Sequence, residues 1–329
     1  MERKSVVAFN AQRQGKPKYP QEVIENFFIK RFSFGSTAGS TAKLITEELN
    51  NNNPPFIIHS GGDGSLGFLL DVLYKAYPKE ENIPPLLLLG GGTANTTLRG
   101  LANLRDEENL PDDLVNIFPE EKFVVKSYRP LSLSLLDDAK QEEIAAYLAG
   151  FGHLTIGVTK IFEKIRGRID PTFAYLTAAI LSLTNLHQRC QPQLLDFDDK
   201  SFPAKVKLAA LAVLGVSHLA TFSLNQEISN EDFLLLFLQG ETEAELYLKY
   251  LTTLVVGGVF TGGVDWLIRH QIVNLQKGRQ VSVLPDQENN PNACIDGELK
   301  RFEGPLTIKR AESKVTLIIP QEIAERYKR

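Results

Sequence analysis

The sequence predicts an α/β protein of two domains: an N-terminal domain with a largely parallel sheet and a C-terminal β-rich, sandwich-like domain. Three observations carry this. The chain has 329 residues, more than one hydrophobic core usually serves. Its first third alternates short aliphatic runs with helical patterns, and beyond about residue 122 the apolar period shortens to two.

Taken in order, Ser5-Val6-Val7-Ala8-Phe9 is a β-branched run ending at Asn10, followed by a basic loop from Gln12 to Lys18. Pro20 opens a predicted helix carrying Val23, Ile24, Phe27 and Phe28 at helical spacing. Ser40 is placed to cap a second helix, with Ala42, Leu44, Ile45 and Leu49 on one face. After the turn residues Asn50 to Pro55, Phe56-Ile57-Ile58-His59 is apolar enough to be a strand buried on both faces. Ser60-Gly61-Gly62-Asp63-Gly64 breaks it, and Leu66 to Tyr74 reads as the next helix. Leu86 to Leu89 is another buried strand, stopped by Gly90-Gly91-Gly92-Thr93-Ala94-Asn95 before a further helix. Strands alternating with helices favour a parallel sheet that binds ligands at its carboxyl edge.

In the second domain Leu131, Leu133 and Leu135 alternate with serines, as in a half-buried strand. Val206 to Val213, Phe233 to Leu238, Val281 to Leu284, Leu306 to Lys309 and Val315 to Ile319 continue the β pattern. Helices are expected over Phe173 to Leu186 and Thr242 to Val255. The domains are expected at 1–125, which 311–329 can rejoin, and 126–310, with a linker near Pro119 to Tyr128.

Composition removes several functions. Acidic residues number 40 and basic residues 36, so no broad basic surface for nucleic acid is implied. The longest uncharged stretches, Phe173 to Leu186 and Tyr250 to Val264, are too short or too glycine-broken to span a bilayer. Met1-Glu2-Arg3-Lys4 lacks a signal-peptide core, so a cytoplasmic location is expected. Cys190 and Cys294 have no metal-ligand spacing.

Chemistry concentrates in the two glycine clusters. Each follows a buried strand and precedes a helix, where glycine lets backbone N–H groups approach an anion near the positive end of the helix. Tight packing turns also use glycine, so either cluster alone is weak evidence; two in adjacent β-α units are stronger. Asp63 would repel a phosphate unless it orients a metal ion or hydrogen-bond donors. Gly62 to Gly67 fits the dinucleotide pattern G-x-G-x-x-G, but the next strand ends in glycines where that pattern expects a ribose-binding acid. A Walker loop is absent, since Gly39-Ser40-Thr41-Ala42-Lys43 has the wrong order.

Gly61-Gly62-Asp63-Gly64-Ser65, Gly92-Thr93-Ala94-Asn95 and Ile295-Asp296-Gly297-Glu298 together resemble the diacylglycerol kinase and related lipid-kinase family, which shows GGDGT, P-x-G-T-x-N and D-G-E. Order and spacing match over nearly the whole chain, with Ala149-Gly150-Phe151-Gly152, Phe173-Ala174-Tyr175-Leu176 and the Cys294 to Pro320 stretch in agreement. NAD kinases share the G-G-D-G loop, but the G-T-x-N turn and D-G-E favour the lipid-kinase branch. The resemblance implies ATP-dependent phosphoryl transfer to a lipid hydroxyl, diacylglycerol-like or sphingoid. It implies nucleotide contacts from Asn10, Gly61, Gly62, Gly64, Ser65, Gly92, Thr93 and Asn95. It further implies Mg2+ held through water by Asp63 and Glu298, and Asp296 as general base facing Asp63 across an interdomain cleft. The partner would be a lipid at a membrane surface, bound reversibly at the inner face, with a homodimer left open. Phe68 and Thr96 stand where the family usually carries acids, and Gly90 replaces its proline. A catalytically weak relative that binds nucleotide or lipid is therefore the second reading, and an NAD kinase the third. No structural metal is expected around Asn225 to Asp232.

Other candidates are read as structural. His59 ends a buried strand and is expected as a satisfied core histidine, and Trp266 as a core residue before a bilayer contact. Lys160, Lys164, Arg166 and Arg168 fit a solvated helix face as well as a rim for anionic headgroups.

Overall fold

The computed structural model describes residues 4–11, 18–34, 38–77, 83–90, 96–102, 109–136, 138–165, 168, 171–183, 192–198, 200–201, 207–219, 222–224, 226–253, 256, 263–288 and 290–327. The chain divides into two compact units, Met1–Pro130 with Ala311–Arg329, and Leu131–Arg310.

The first unit runs β1 (Lys4–Ala11), α1 (Gln21–Asn26), β2 (Phe27–Phe34), α2 (Ala38–Asn52), β3 (Ile57–Ser60), α3 (Asp63–Ala76), β4 (Leu86–Leu88), α4 (Thr96–Ala102), α5 (Asp112–Val115) and β5 (Phe123–Tyr128). The second contributes β6 (Leu131–Leu135), β7 (Asp138–Ala145), β8 (Leu148–Phe151), α6 (His153–Ile165), α7 (Pro171–Leu183), β9 (Gln193–Phe197), β10 (Lys200–Ser201), β11 (Lys207–Leu214), β12 (His218–Leu219), β13 (Phe222–Ser223), β14 (Phe233–Gly240), α8 (Glu243–Thr252), α9 (Gly263–Arg269), β15 (Asn274–Gly278), β16 (Gln280–Leu284), β17 (Ala293–Ile295), β18 (Glu298–Lys300) and β19 (Leu306–Arg310). The chain then returns to the first unit with β20 (Val315–Pro320) and α10 (Gln321–Tyr327).

The sheet of the first unit has the order β2-β1-β3-β4-β20-β5. All neighbours are parallel except β5, which runs antiparallel to β20. Alternate residues fill opposite faces, and both faces are covered. Val6, Ala8, Ile58, Leu87 and Ile318 share one core with a chain of edge-to-face rings, Phe27–Phe56–Phe118–Phe123. Val7, Phe9, Ile57, Leu86 and Leu88 are equally buried. Coverage of both faces is why these strands read as unbroken apolar runs.

Two expectations are corrected here. The helix opened by Pro20 stops at Asn26, and Phe27 and Phe28 begin β2 instead. Phe27 is buried while Phe28 is 60% exposed, the alternation of a strand, and eight residues of parallel register with β1 outweigh one more helical turn. Phe123–Tyr128, expected within the linker, is a sheet strand paired with β20. The border between units accordingly lies at Pro130/Leu131 rather than at 125/126.

The second unit is a sandwich of two antiparallel six-stranded sheets, β10-β9-β16-β19-β6-β7 and β15-β14-β11-β8-β17-β18. Leu131, Leu133, Val281 and Ile308 of the first interdigitate with Phe151, Leu211, Val213 and Phe233 of the second. Helices cover the outer face of the second sheet, where Leu154, Leu246, Tyr250 and Leu267 pack with Leu238. Ser132 of β6, expected on a wet face, is buried and donates to Glu142. Trp266, expected in the core, is 39% exposed and stacks on His270 with ring centroids 4.1 Å apart. Among the described residues no helix is long and apolar enough to cross a membrane.

Candidate functional site

Strands β3 and β4 are adjacent and parallel, so the connections leaving them emerge side by side at one sheet edge. They are also tied together. The Leu89 N–H donates to the His59 carbonyl at 2.9 Å, and Ser60 Oγ to the Gly90 carbonyl at 3.3 Å. Register along β1 sets the backbone of Asn10 opposite Ser60, at the same edge.

The first connection turns at Gly61-Gly62, and α3 starts at Asp63 with Gly62 as its N-cap and no side chain capping it. A Cβ on Gly61 would overlap Ser65 Oγ and come within 2.9 Å of His59 Nε2, so only glycine passes there. The opening amides of a helix have no intrahelical acceptor, and an uncapped start offers them to an anion. The second connection begins with Gly90 at φ +68°, a left-handed conformation that suits glycine where the expected motif has proline.

Asp63 joins the two connections. Its Oδ1 accepts the Thr97 N–H at 2.9 Å, in the first turn of α4. Beside that contact Thr97 is 1% exposed, and its Oγ1 has no hydrogen-bond partner among the described residues. A buried hydroxyl left without a partner costs about 1–3 kcal/mol, which a bound group supplying an acceptor would recover. Thr97 went unnoticed in the sequence; the only signal was a second threonine at a helix start, which reads as a cap. Phe68 is half-buried on α3, where the related pattern has an acid. Gly92, Thr93 and Asn95 lie outside the described residues.

His59 is 2% exposed, as expected of a core histidine, and its Nε2 lies 3.0 Å from Ser65 Oγ. Burial pushes its pKa down to about 3, so the ring is neutral at pH 7.

In the second unit Asp296 and Gly297 form the two-residue turn between β17 and β18, with φ of +49° and +90°. Both values are positive, as in the type I′ hairpin that Asp-Gly favours. The Asp296 carboxylate is buried and reaches a neighbouring turn. Its Oδ2 accepts the Ala146 N–H at 2.5 Å, and its Oδ1 accepts Tyr147 N–H at 2.9 Å and Leu148 N–H at 3.0 Å. Its own N–H donates to the Leu148 carbonyl. This one residue therefore fastens the β17–β18 hairpin to the connection between β7 and β8, where the chain passes from one sheet of the sandwich to the other. Glu298 is exposed on β18, opposite Ile295.

Neither a protein-family model nor a curated protein matches the sequence. Solved structures do match the fold. A diacylglycerol kinase from Bacillus anthracis str. Sterne aligns with a TM-score of 0.57 at 14% identity, over 95% of this chain and 96% of that one. The chain has the diacylglycerol kinase fold. An NAD kinase from Archaeoglobus fulgidus, solved in complex with ATP, aligns over 98% of this chain and 96% of that one, at 13% identity and a TM-score of 0.43. The fold shared with the diacylglycerol kinase comprises the parallel N-terminal sheet and the two antiparallel sheets that follow it.

Proposed function

We propose that the protein is an ATP-dependent phosphotransferase whose acceptor is a lipid hydroxyl, diacylglycerol-like or sphingoid. The observation that carries this is the pairing of two glycine-rich strand-to-helix connections at one sheet edge, cross-linked by Asp63 and Thr97. Phosphoryl transfer asks mainly for positioning and charge neutralisation, which such a loop supplies through backbone amides.

In this reading the Gly61 to Ser65 turn holds the ATP phosphates, with Asn10, Gly92, Thr93 and Asn95 completing the nucleotide contacts. Asp63 and Glu298 hold Mg2+ through water. No group of three acidic, histidine or cysteine side chains is arranged to hold a metal ion among the described residues, but magnesium keeps several waters and needs only one or two carboxylates. Asp63, with one oxygen on a backbone amide, fits that outer-sphere role. The ion supplies neutralisation of charge on the phosphoryl group. Asp296 is assigned to accept the lipid hydroxyl's proton, with its carboxylate held in place by three backbone amides. The acceptor lipid is met at a membrane surface, by reversible peripheral binding.

The experiment is transfer from labelled ATP to a total lipid extract, with identification of the product. A labelled lipid supports the proposal, and absence of any labelled lipid despite bound ATP refutes it. That second outcome is the behaviour of a catalytically weak relative, which Phe68 on α3 and the heavily engaged Asp296 favour. Label appearing only when NAD is supplied makes the protein an NAD kinase.

A further inference from the structure

The turn at Gly61-Gly62 has a support that the nucleotide reading does not use. Ser65 Oγ lies 2.8 Å from the Gly62 carbonyl and 3.0 Å from His59 Nε2. A hydroxyl has one proton, and a carbonyl only accepts. The Ser65 proton is therefore committed to Gly62, and the contact with His59 is a hydrogen bond only if the imidazole donates. This fixes the tautomer: His59 carries its proton on Nε2. The hydrogen bonds run in one direction, from His59 to Ser65 to the Gly62 carbonyl. That carbonyl also accepts the Leu66 N–H at 3.1 Å, the first bond of α3.

We infer that His59 is a positioning residue, whose Nε2–H holds the Ser65 hydroxyl and through it the Gly62 carbonyl, so that the amides beginning α3 face a bound phosphate. Two consequences separate this from plain core packing. Ser65, grouped by its motif with the nucleotide contacts, has no proton left to give, so phosphate is held there by backbone N–H groups. A charged imidazolium is not required, and the depressed pKa of a fully buried ring agrees with that. Gly61 fits the same arrangement, since any side chain there would strike both Ser65 Oγ and His59 Nε2.

The inference rests on the nucleotide reading for its purpose but not for its geometry, and the test keeps them apart. Long-range 15N–1H NMR on the full-length protein, without ligand, reports the imidazole tautomer; Nε2–H is expected, and an Nδ1–H or doubly protonated ring overturns the assignment. Calorimetric Mg-ATP binding then compares His59→Leu, which removes the donor, with His59→Gln, whose amide N–H reaches the position of Nε2. We expect the leucine variant to bind at least about tenfold more weakly and the glutamine variant to recover most of that loss. Equal binding by wild type and both folded variants, checked by thermal melting, overturns the positioning role. Should Ser65→Ala lose far more affinity than His59→Leu, Ser65 touches the phosphate directly and the direction of the hydrogen bonds is wrong. Wild-type protein that shows the Nε2–H signature yet binds no Mg-ATP refutes the nucleotide reading and the positioning role with it, leaving only the tautomer.

Discussion

Substituting asparagine for Asp296 distinguishes a clamp from a catalytic base, because the change preserves everything except the charge and two lone pairs. Position 296 lies at φ +49°, a conformation asparagine accepts as readily as aspartate. The three donors from Ala146, Tyr147 and Leu148 do not move. An amide side chain offers one oxygen and one NH2, so at least one of those N–H groups must then face a donor. The lost charge-assisted bond is worth about 1.5–3 kcal/mol and the stranded amide about 1–3 kcal/mol, partly the same energy, so a net loss of about 3 kcal/mol is expected. For a unit the size of Leu131–Arg310 this lowers the melting temperature by roughly 6–12 °C. Calorimetric melts of wild type, Asp296→Asn and the exposed control Glu298→Gln measure it, with the control within about 1 °C of wild type. An Asp296→Asn melt that coincides with wild type refutes the clamp. Transfer and Mg-ATP binding are then assayed well below the variant's melting range. There, retained binding with lost transfer identifies the base, and retained transfer removes Asp296 from the chemistry.

Asp63→Asn keeps an oxygen for the Thr97 amide, so its melt should stay within about 1 kcal/mol of wild type while Mg-ATP binding or turnover falls at least about tenfold; calorimetric titration checks this, and undiminished binding and turnover remove Asp63 from the site. His59 gives a pH dependence of known sign. Its pKa is about 3 in the fold against an ordinary 6.5, so between these values the unfolded chain binds a proton that the folded chain refuses. Stability from this group is complete above pH 6.5 and is lost as pH falls toward 3, by up to about 1.4 kcal/mol per pH unit. Urea melts at pH 7 and 5 should show a shallower loss in His59→Gln, and parallel losses would contradict the burial of a neutral ring. Arg310 is buried and donates to the carbonyls of Asp232, Gly215 and Ser229, so Arg310→Met should cost about 3–5 kcal/mol, read as a lower urea midpoint at unchanged slope.

The sequence announced the fold wherever burial was two-sided. Phe56 to His59 and Leu86 to Leu89 are continuous apolar runs because helices cover both faces of their sheet, and that pattern survives without knowledge of neighbours. Phe27 to Phe34 misled because its first two aromatics also fit the helix that Pro20 starts. What decides is pairing with β1, a partner 23 positions earlier that no local window includes. Phe123 to Tyr128 misled for the same reason at the other edge. It pairs with Val315 to Pro320, and nothing near residue 123 records that the C-terminus returns to complete the sheet.

At the site, legibility divided between backbone and side chain. Gly61, Gly62 and Gly90 stood out because glycine marks geometry that other residues cannot adopt, and the structure gives each a reason, a steric contact, a helix cap or a positive φ. Thr97 and the His59–Ser65 pair did not stand out, because their meaning lies in which hydrogen-bonding group each hydroxyl meets. Thr97 matters for an oxygen that meets none among the described residues, and Ser65 for a proton directed at the Gly62 carbonyl. The Asp296-Gly297 turn shows the same division most sharply. Asp-Gly is the strongest short signal for a hairpin, and the family resemblance implies a catalytic acid at the same D-G-E. The turn geometry bears out the hairpin, but it does not choose between the roles, because a hairpin turn leaves its first side chain to point where tertiary structure directs. Here it points onto three backbone amides at the β7–β8 connection, about 150 residues earlier in the chain. A carboxylate so held is fixed in place whichever role it has, and rigidity is what a clamp and a base both require.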